Sequence, residues 1–193
     1  MEFRLTYKGK LPSVTSGDTR VAHKHRIRKE IHKQLRYLWE THPNLAMPFA
    51  SLTDGSLYIS KVADKYARCG FRFVPLVGEQ SGVACALDIL FLRRDFPGNM
   101  ISHRGDIDNR IKVLFDALQV PDNCDQLPKG AAPDEGEDPM FCLLWDDRLI
   151  TELKVTTDRL LTPPMENESV NEVQLVIGVR ILARLSQFAA ENS

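Results

Sequence analysis

Little in this 193-residue chain is in excess, and the shortages narrow its class. No run approaches the ~18 consecutive apolar residues of a membrane span, and no apolar stretch follows the start MEFRLTYKGK. A cytoplasmic protein with no membrane partner is therefore expected. Cysteine is scarce, at positions 69, 85, 124 and 142 with no C-x-x-C pair. A chain this long needs no disulfide staples, so reduced thiols are expected. No internal repeat is present, which removes solenoids and propellers. Neither charge sign dominates, at a net −1. What remains, 43% apolar and 26% charged, suits one globular domain with a good core and not a disordered tail.

The balanced total conceals an asymmetry. Residues 1–42 hold ten Lys/Arg against four Asp/Glu, which leaves −7 for the remainder. Most of the positive charge lies in RVAHKHRIRKEIHKQLRYLWE, residues 20–40. There Ile27, Ile31, Leu35, Leu38 and Trp39 recur near the 3.6 period and predict an amphipathic helix. Arg26, Arg28, Lys29, Lys33 and Arg36 then fan over its other faces, either as a solvated surface or as a seat for nucleic-acid phosphates. His23 and His25 lack a carboxylate or cysteine partner in register and read as surface histidines.

EFRLTY alternates as a first strand, and SLYISKVADKYARC is a possible second helix. FRFVPLV and ACALDILFLRR read as strands joined by a Gly-containing turn at 78–82, a hairpin signal. The second is apolar on both faces except at Asp88, as a central strand would be. Ile107, Ile111, Leu114, Phe115 and Leu118 mark a helix over 106–119 that Pro121 stops. Residues 121–139, with six acidic side chains, four prolines and two glycines, predict an exposed loop. LITELKV alternates, and VQLVIGVRIL closes the sheet. The predicted fold is α+β: one compact domain over 1–193, a mixed β-sheet flanked by two or three helices, and an acidic insertion at about 120–140.

RGDIDNRIKVLFDAL, residues 104–118, sets Asp106 and Asp108 at the head of that helix. Helix N-termini favour negative charge by ~0.3–1 kcal/mol, which accounts for one carboxylate; two so close repel unless a cation offsets them. Lys112 follows Asp108 by four residues, one turn along the same side. It makes either an i,i+4 salt bridge or an ammonium beside a metal-bound phosphate. In LLWDDRLITELKV, Asp146 and Asp147 form either a hairpin turn or a second pair of hard oxygen ligands. Together the two acidic sites point to Mg²⁺ or Mn²⁺ and away from zinc.

GDIDNRIKVLFDAL followed by WDDRLITELKV resembles the RusA-type Holliday junction resolvases, whose signature is a D-x-D-N-x-x-K run and a later D-D before a strand. The close match covers about 25 residues in two blocks. The resemblance implies a small RusA-like homodimer and a Mg²⁺-dependent crossover junction endonuclease of DNA recombination and repair, acting on branched DNA at four-way junctions. Asp106, Asp108 and Asp147 match the family's essential carboxylates and Lys112 its active-site lysine. Asp146 fits the first of the paired aspartates, a secondary metal position, and Asn109 and Asp116 fit residues that shape the helix. The chain departs from the family in the acidic insertion and in Gly105, where a proline often precedes the D-x-D. Two other layouts stay open: a PD-(D/E)xK nuclease using Pro121–Asp122, Glu152 and Lys154, and a non-catalytic dimer that binds branched DNA.

Overall fold

The computed structural model describes residues 1–11, 17–45, 58–78, 81–94, 106–163 and 172–183. In chain order the elements are β1 (Glu2–Lys10), α1 (Asp18–Thr41), α2 (Tyr58–Lys65), β2 (Phe73–Val77), β3 (Val83–Arg93), α3 (Asp106–Leu118), β4 (Met140–Leu144), β5 (Ile150–Arg159) and β6 (Glu172–Ala183). They make an α+β domain with a mixed four-stranded sheet in the order β1-β6-β3-β5 and a separate β2-β4 pair. In the larger sheet β6 runs antiparallel to both β1 and β3, and β5 is parallel to β3. No described helix is long and apolar enough to cross a membrane.

β3 is interior, as its apolar run predicts, and β6 lies between β1 and β3 rather than at an edge. Alternation decides which face is covered. Val173, Leu175, Ile177 and Val179 of β6 are buried with Leu5, Tyr7, Leu87, Ile89 and Phe91. They pack in one core with Ile27, Ile31, Leu35 and Trp39 of α1 and with Val113, Leu114, Ala117 and Leu118 of α3. Each fully buried aliphatic side chain there contributes ~1.5–3 kcal/mol relative to exposure. The opposite face carries Arg4, Asp88, Glu152, Lys154 and Arg180.

Several expectations need correction. FRFVPLV and ACALDILFLRR do not form a hairpin: β2 pairs in parallel with β4, each residue with the one 67 positions downstream. Both strands are buried at every position, which is the burial expected of parallel strands covered on two faces. Cysteine pairing is the second. Cys69 and Cys124, 55 residues apart, form a disulfide, while Cys85 and Cys142 are free and buried. Cys69 and Gly70, at φ 55° and 81°, make a tight turn closed by the mutual backbone bonds of Arg68 and Phe71, and this turn presents the thiol to the insertion.

The insertion is exposed along most of its length, as expected, and its docking is the third. It is described throughout and docked, with Leu127 and Glu137 buried. Lys29 meets Asp134 at 2.6 Å and Glu137 at 3.0 Å, and Arg36 Nη1 donates to the Gly136 carbonyl at 2.9 Å. Arg68 donates to the Pro121 carbonyl at 2.8 Å, and Arg72 pairs with Asp138 at 2.8 Å. An acidic segment has therefore found its counter-charge within the same chain.

His25, expected on the surface, is buried edge-on to Phe71, and neither ring nitrogen has a described hydrogen-bond partner. His32 is buried too: its Nδ1 accepts from the Phe141 amide at 2.9 Å, so Nε2 carries the proton that reaches the Gly136 carbonyl at 3.0 Å. Burial is the largest cause lowering both pKa values; for His25, Arg28 and Lys29 add to it and bring it to about 4. Both rings are thus neutral when folded and titrate near 6.5 when unfolded. The unfolded chain binds the extra protons first, so their contribution to stability is complete above pH 6.5 and is lost as pH falls towards 4. Thermal unfolding across that window should show a falling melting temperature, with a shallower slope in His25→Leu. An equal slope in the variant would exclude His25 as a cause.

Candidate functional site

α3 places the acidic motif. It starts at Asp106, of which only the backbone is described, and runs to Leu118. Ile107, Ile111 and Phe115 pack against the core, and this fixes which side faces outward. Asp108 and Lys112 are both exposed on that side, one turn apart, and no ion pair joins them. Between them Arg110 donates to the carbonyl of Leu11, which ties the helix start to the end of β1. At the other end Asp116 meets Lys24 at 3.2 Å and Arg20 at 3.9 Å, a helix-anchoring use compatible with its predicted shaping role.

The second motif follows β4. The Trp145 amide donates to the Val77 carbonyl at 2.8 Å and the Val120 amide to the Leu144 carbonyl at 3.0 Å, so the strand end is fixed from both sides. Asp146 then caps a single 3-10 turn over 147–149 by accepting from the Arg148 amide at 2.9 Å. The same carboxylate takes Nε and Nη2 of Arg148 at 2.9 Å each, and these bonds hold its pKa below the usual carboxylate range. Asp147 is exposed and pairs with no described cation, and Leu149 returns to the core to start β5.

Among the described residues no three carboxylate, histidine or cysteine side chains lie close enough together to hold a metal ion. The Asp106 carboxylate falls outside that set. Asp108 and Asp147 are free, hard oxygen donors, which fits Mg²⁺, an ion that keeps several waters and takes one or two carboxylates plus substrate phosphate. Asp146 fits less well, because it would first have to release Arg148.

The basic helix is mostly spent internally. Of the five candidates, Arg28 is 1% exposed and donates to the carbonyls of Asp116 at 2.7 Å and Gln119 at 3.4 Å, so it cannot touch DNA. Lys29 and Arg36 hold the acidic insertion, and Lys33 pairs with Glu30 at 2.7 Å. Arg26 is exposed and has no described carboxylate partner. The expected phosphate stripe thus reduces to Arg26, with Lys33 beside it.

In the PD-(D/E)xK layout Glu152 and Lys154 share the outer sheet face, and Asp122 lies in the insertion instead. Asp122 bonds Gln126 within the docked insertion, Glu152 pairs with Arg180 at 2.6 Å, and Lys154 pairs with Asp88 at 3.0 Å on the outer sheet face. Periodicity shows which side of α1 is apolar; it does not show that Lys24, His25, Arg28 and His32 are buried as well. The only sequence signal for that was the opposed charge of residues 20–40 and 121–139. Comparison with protein-family models, curated proteins and solved structures finds no match to the chain.

Proposed function

We propose that the chain is a Mg²⁺-dependent, structure-specific DNA endonuclease, with Mn²⁺ able to substitute, that resolves four-way junctions by paired symmetric nicks in recombination and repair. The observation that carries this reading is the start of α3. Asp108 and Lys112 stand exposed and unpaired one turn apart, and Asp147, also unpaired, follows β4. A surface that used these charges only for stability would pair them, and here the i,i+4 salt bridge is not made.

When bound, Mg²⁺ lowers the pKa of an attacking water and offsets charge at the phosphodiester. Asp106, Asp108 and Asp147 would hold it. Lys112 then stabilises charge on the scissile phosphate or the leaving oxygen. Asp146 keeps the turn that presents Asp147 in shape. A four-way junction has approximate two-fold symmetry, so a homodimer with one site per subunit would deliver two matched nicks.

The test is incubation of the purified protein with a synthetic four-way junction, a flap and a linear duplex, with and without Mg²⁺. Paired nicks confined to the junction and dependent on Mg²⁺ are expected. Junction binding by gel shift without incision at millimolar Mg²⁺ would turn the reading to a non-catalytic branched-DNA-binding dimer.

A further inference from the structure

Most cations of the N-terminal third are consumed by the fold, and this makes the few that are not informative. Between the end of β1 and the outer side of α1 lies an open recess of about 520 Å³, lined by Tyr7, Lys10, His23, Arg26, Glu30 and Glu172 among others. Its shape originates at Gly9, whose φ of +153° is one that few L side chains adopt. A Cβ there would sit 2.8 Å from the Tyr7 hydroxyl. The glycine lets that hydroxyl tuck beneath the strand, where it donates to the Lys10 carbonyl at 3.0 Å and sets the recess floor.

The charges on the walls are unequal in availability. Glu30 is held by Lys33 at 2.7 Å, and Glu172, the cross-strand neighbour of Lys10, makes no ion pair with it. Lys10 and Arg26 are exposed and paired with no carboxylate, and His23 is half-buried between them. The His23 pKa lies below the ordinary imidazole value, through burial first and then through Arg26 and Lys10. The recess therefore sets Lys8, Lys10 and Arg26, the last also bonded to the Tyr7 hydroxyl, against Glu172 and a Glu30 that Lys33 holds, and its net charge is positive.

We propose that this recess is a phosphate-binding site, in which Arg26, Lys10 and His23 donate to one phosphate group. A guanidinium fork, an ammonium and an imidazole are donors of differing geometry that converge on one tetrahedral oxyanion, and charge-assisted bonds of this kind are the strong ones. Its position names the source. Leu11, next to Lys10, accepts from Arg110 in the first turns of α3, so the recess adjoins the helix start that carries Asp108. A nucleic-acid strand with one phosphate at that helix start brings a neighbouring phosphate to the recess. The chemistry of the site stands without the nuclease reading, and only the source of the phosphate rests on it.

The test follows the His23 imidazole resonances by NMR in metal-free buffer, with inorganic phosphate and with a short oligothymidylate as probes. Both are expected to shift His23 saturably and to raise its midpoint pH, because a bound anion favours the imidazolium. Loss of one charged hydrogen bond weakens binding roughly tenfold or more, so Arg26→Ala and Lys10→Ala should each do so. Lys129→Ala, an exposed charge elsewhere, should not. A response to phosphate alone would keep the site and assign it to a small phosphorylated molecule, which detaches it from the nuclease. A His23 signal unmoved by either probe, or a response that survives in the Lys10→Ala, Arg26→Ala double variant, would overturn the site itself. Failure of the junction assay with an intact His23 response would leave the site standing and remove only the nuclease.

Discussion

Asp108→Asn is expected to reduce Mg²⁺-dependent incision of a four-way junction by roughly 10²–10³-fold, with the loss in kcat. The substitution keeps the shape of the side chain and removes its charge. Asp108 is exposed and pairs with no described residue, so the fold loses at most the ~0.3–1 kcal/mol that a carboxylate gains at a helix start. A loss of activity with an unchanged melting temperature therefore reports on the chemistry. The same variant should also lose most of the thermal stabilisation that millimolar Mg²⁺ gives the wild type, since an ion that binds only the folded chain stabilises it by mass action. Asp122→Asn and Glu152→Gln serve as the opposing pair. Asp122 is bonded to Gln126 and Glu152 to Arg180, and neither substitution should change incision. Retained cleavage in Asp108→Asn together with loss in those two would transfer the site to the PD-(D/E)xK layout.

What sequence made legible is the part of the fold that short periods govern. The 3.6 period finds α1 and α3, and near-continuous apolarity along β3 finds an interior strand, whereas β6, expected to close the sheet, lies between β1 and β3. Partner choice is not local in this way. FVPLV and MFCLL look alike as buried strands, and only the packing of both faces decides that they pair with each other in parallel. The glycines at 78 and 82 signal a hairpin, and β2 and β3 lie in different sheets. The positive charge of residues 20–40 allows either a solvated face or an external partner. The structure gives it an internal one about a hundred residues away, because Lys29 and Arg36 meet the acidic segment once Cys69–Cys124 and Arg68 bring it alongside. Of the site, the spacing gave the outward face of Asp108 and Lys112 correctly, since the apolar stripe of α3 leaves no other choice. The hairpin expected at Asp146–Asp147 is not made, because β4 pairs with β2 and β5 with β3; Asp146 instead caps the 3-10 turn between two sheets through its contacts with Arg148.

Arg28→Ala is expected to cost about 3–5 kcal/mol of stability, because the residue is not at the surface and its loss strands two carbonyls at ~1–3 kcal/mol each. The last carbonyls of a helix lack partners within it, and Arg28 reaches from α1 to two of those at the end of α3, on Asp116 and Gln119. Its charge also opposes the negative end of the α3 dipole. Desolvation pulls its pKa down from the ordinary value, against Cys142 and Asp116, yet an arginine keeps its proton in proteins. Truncation leaves both carbonyls facing apolar surroundings and opens space where the two helices meet. For a chain of this size a loss of 1 kcal/mol lowers the melting temperature by ~2–4 °C, so a fall of roughly 6–20 °C should be seen. Arg28→Met separates the causes: it refills the space without supplying donors, and it should recover only the packing share. A melting temperature for Arg28→Met equal to that of the wild type would show that the bonds to α3 contribute nothing net. The dependence on salt gives an independent readout. Buried charges are little screened, so the destabilisation should persist at high ionic strength. Among variants that stay folded, Arg28→Met should leave the slope of junction affinity against salt unchanged, as expected of a residue that holds α3 and no phosphate.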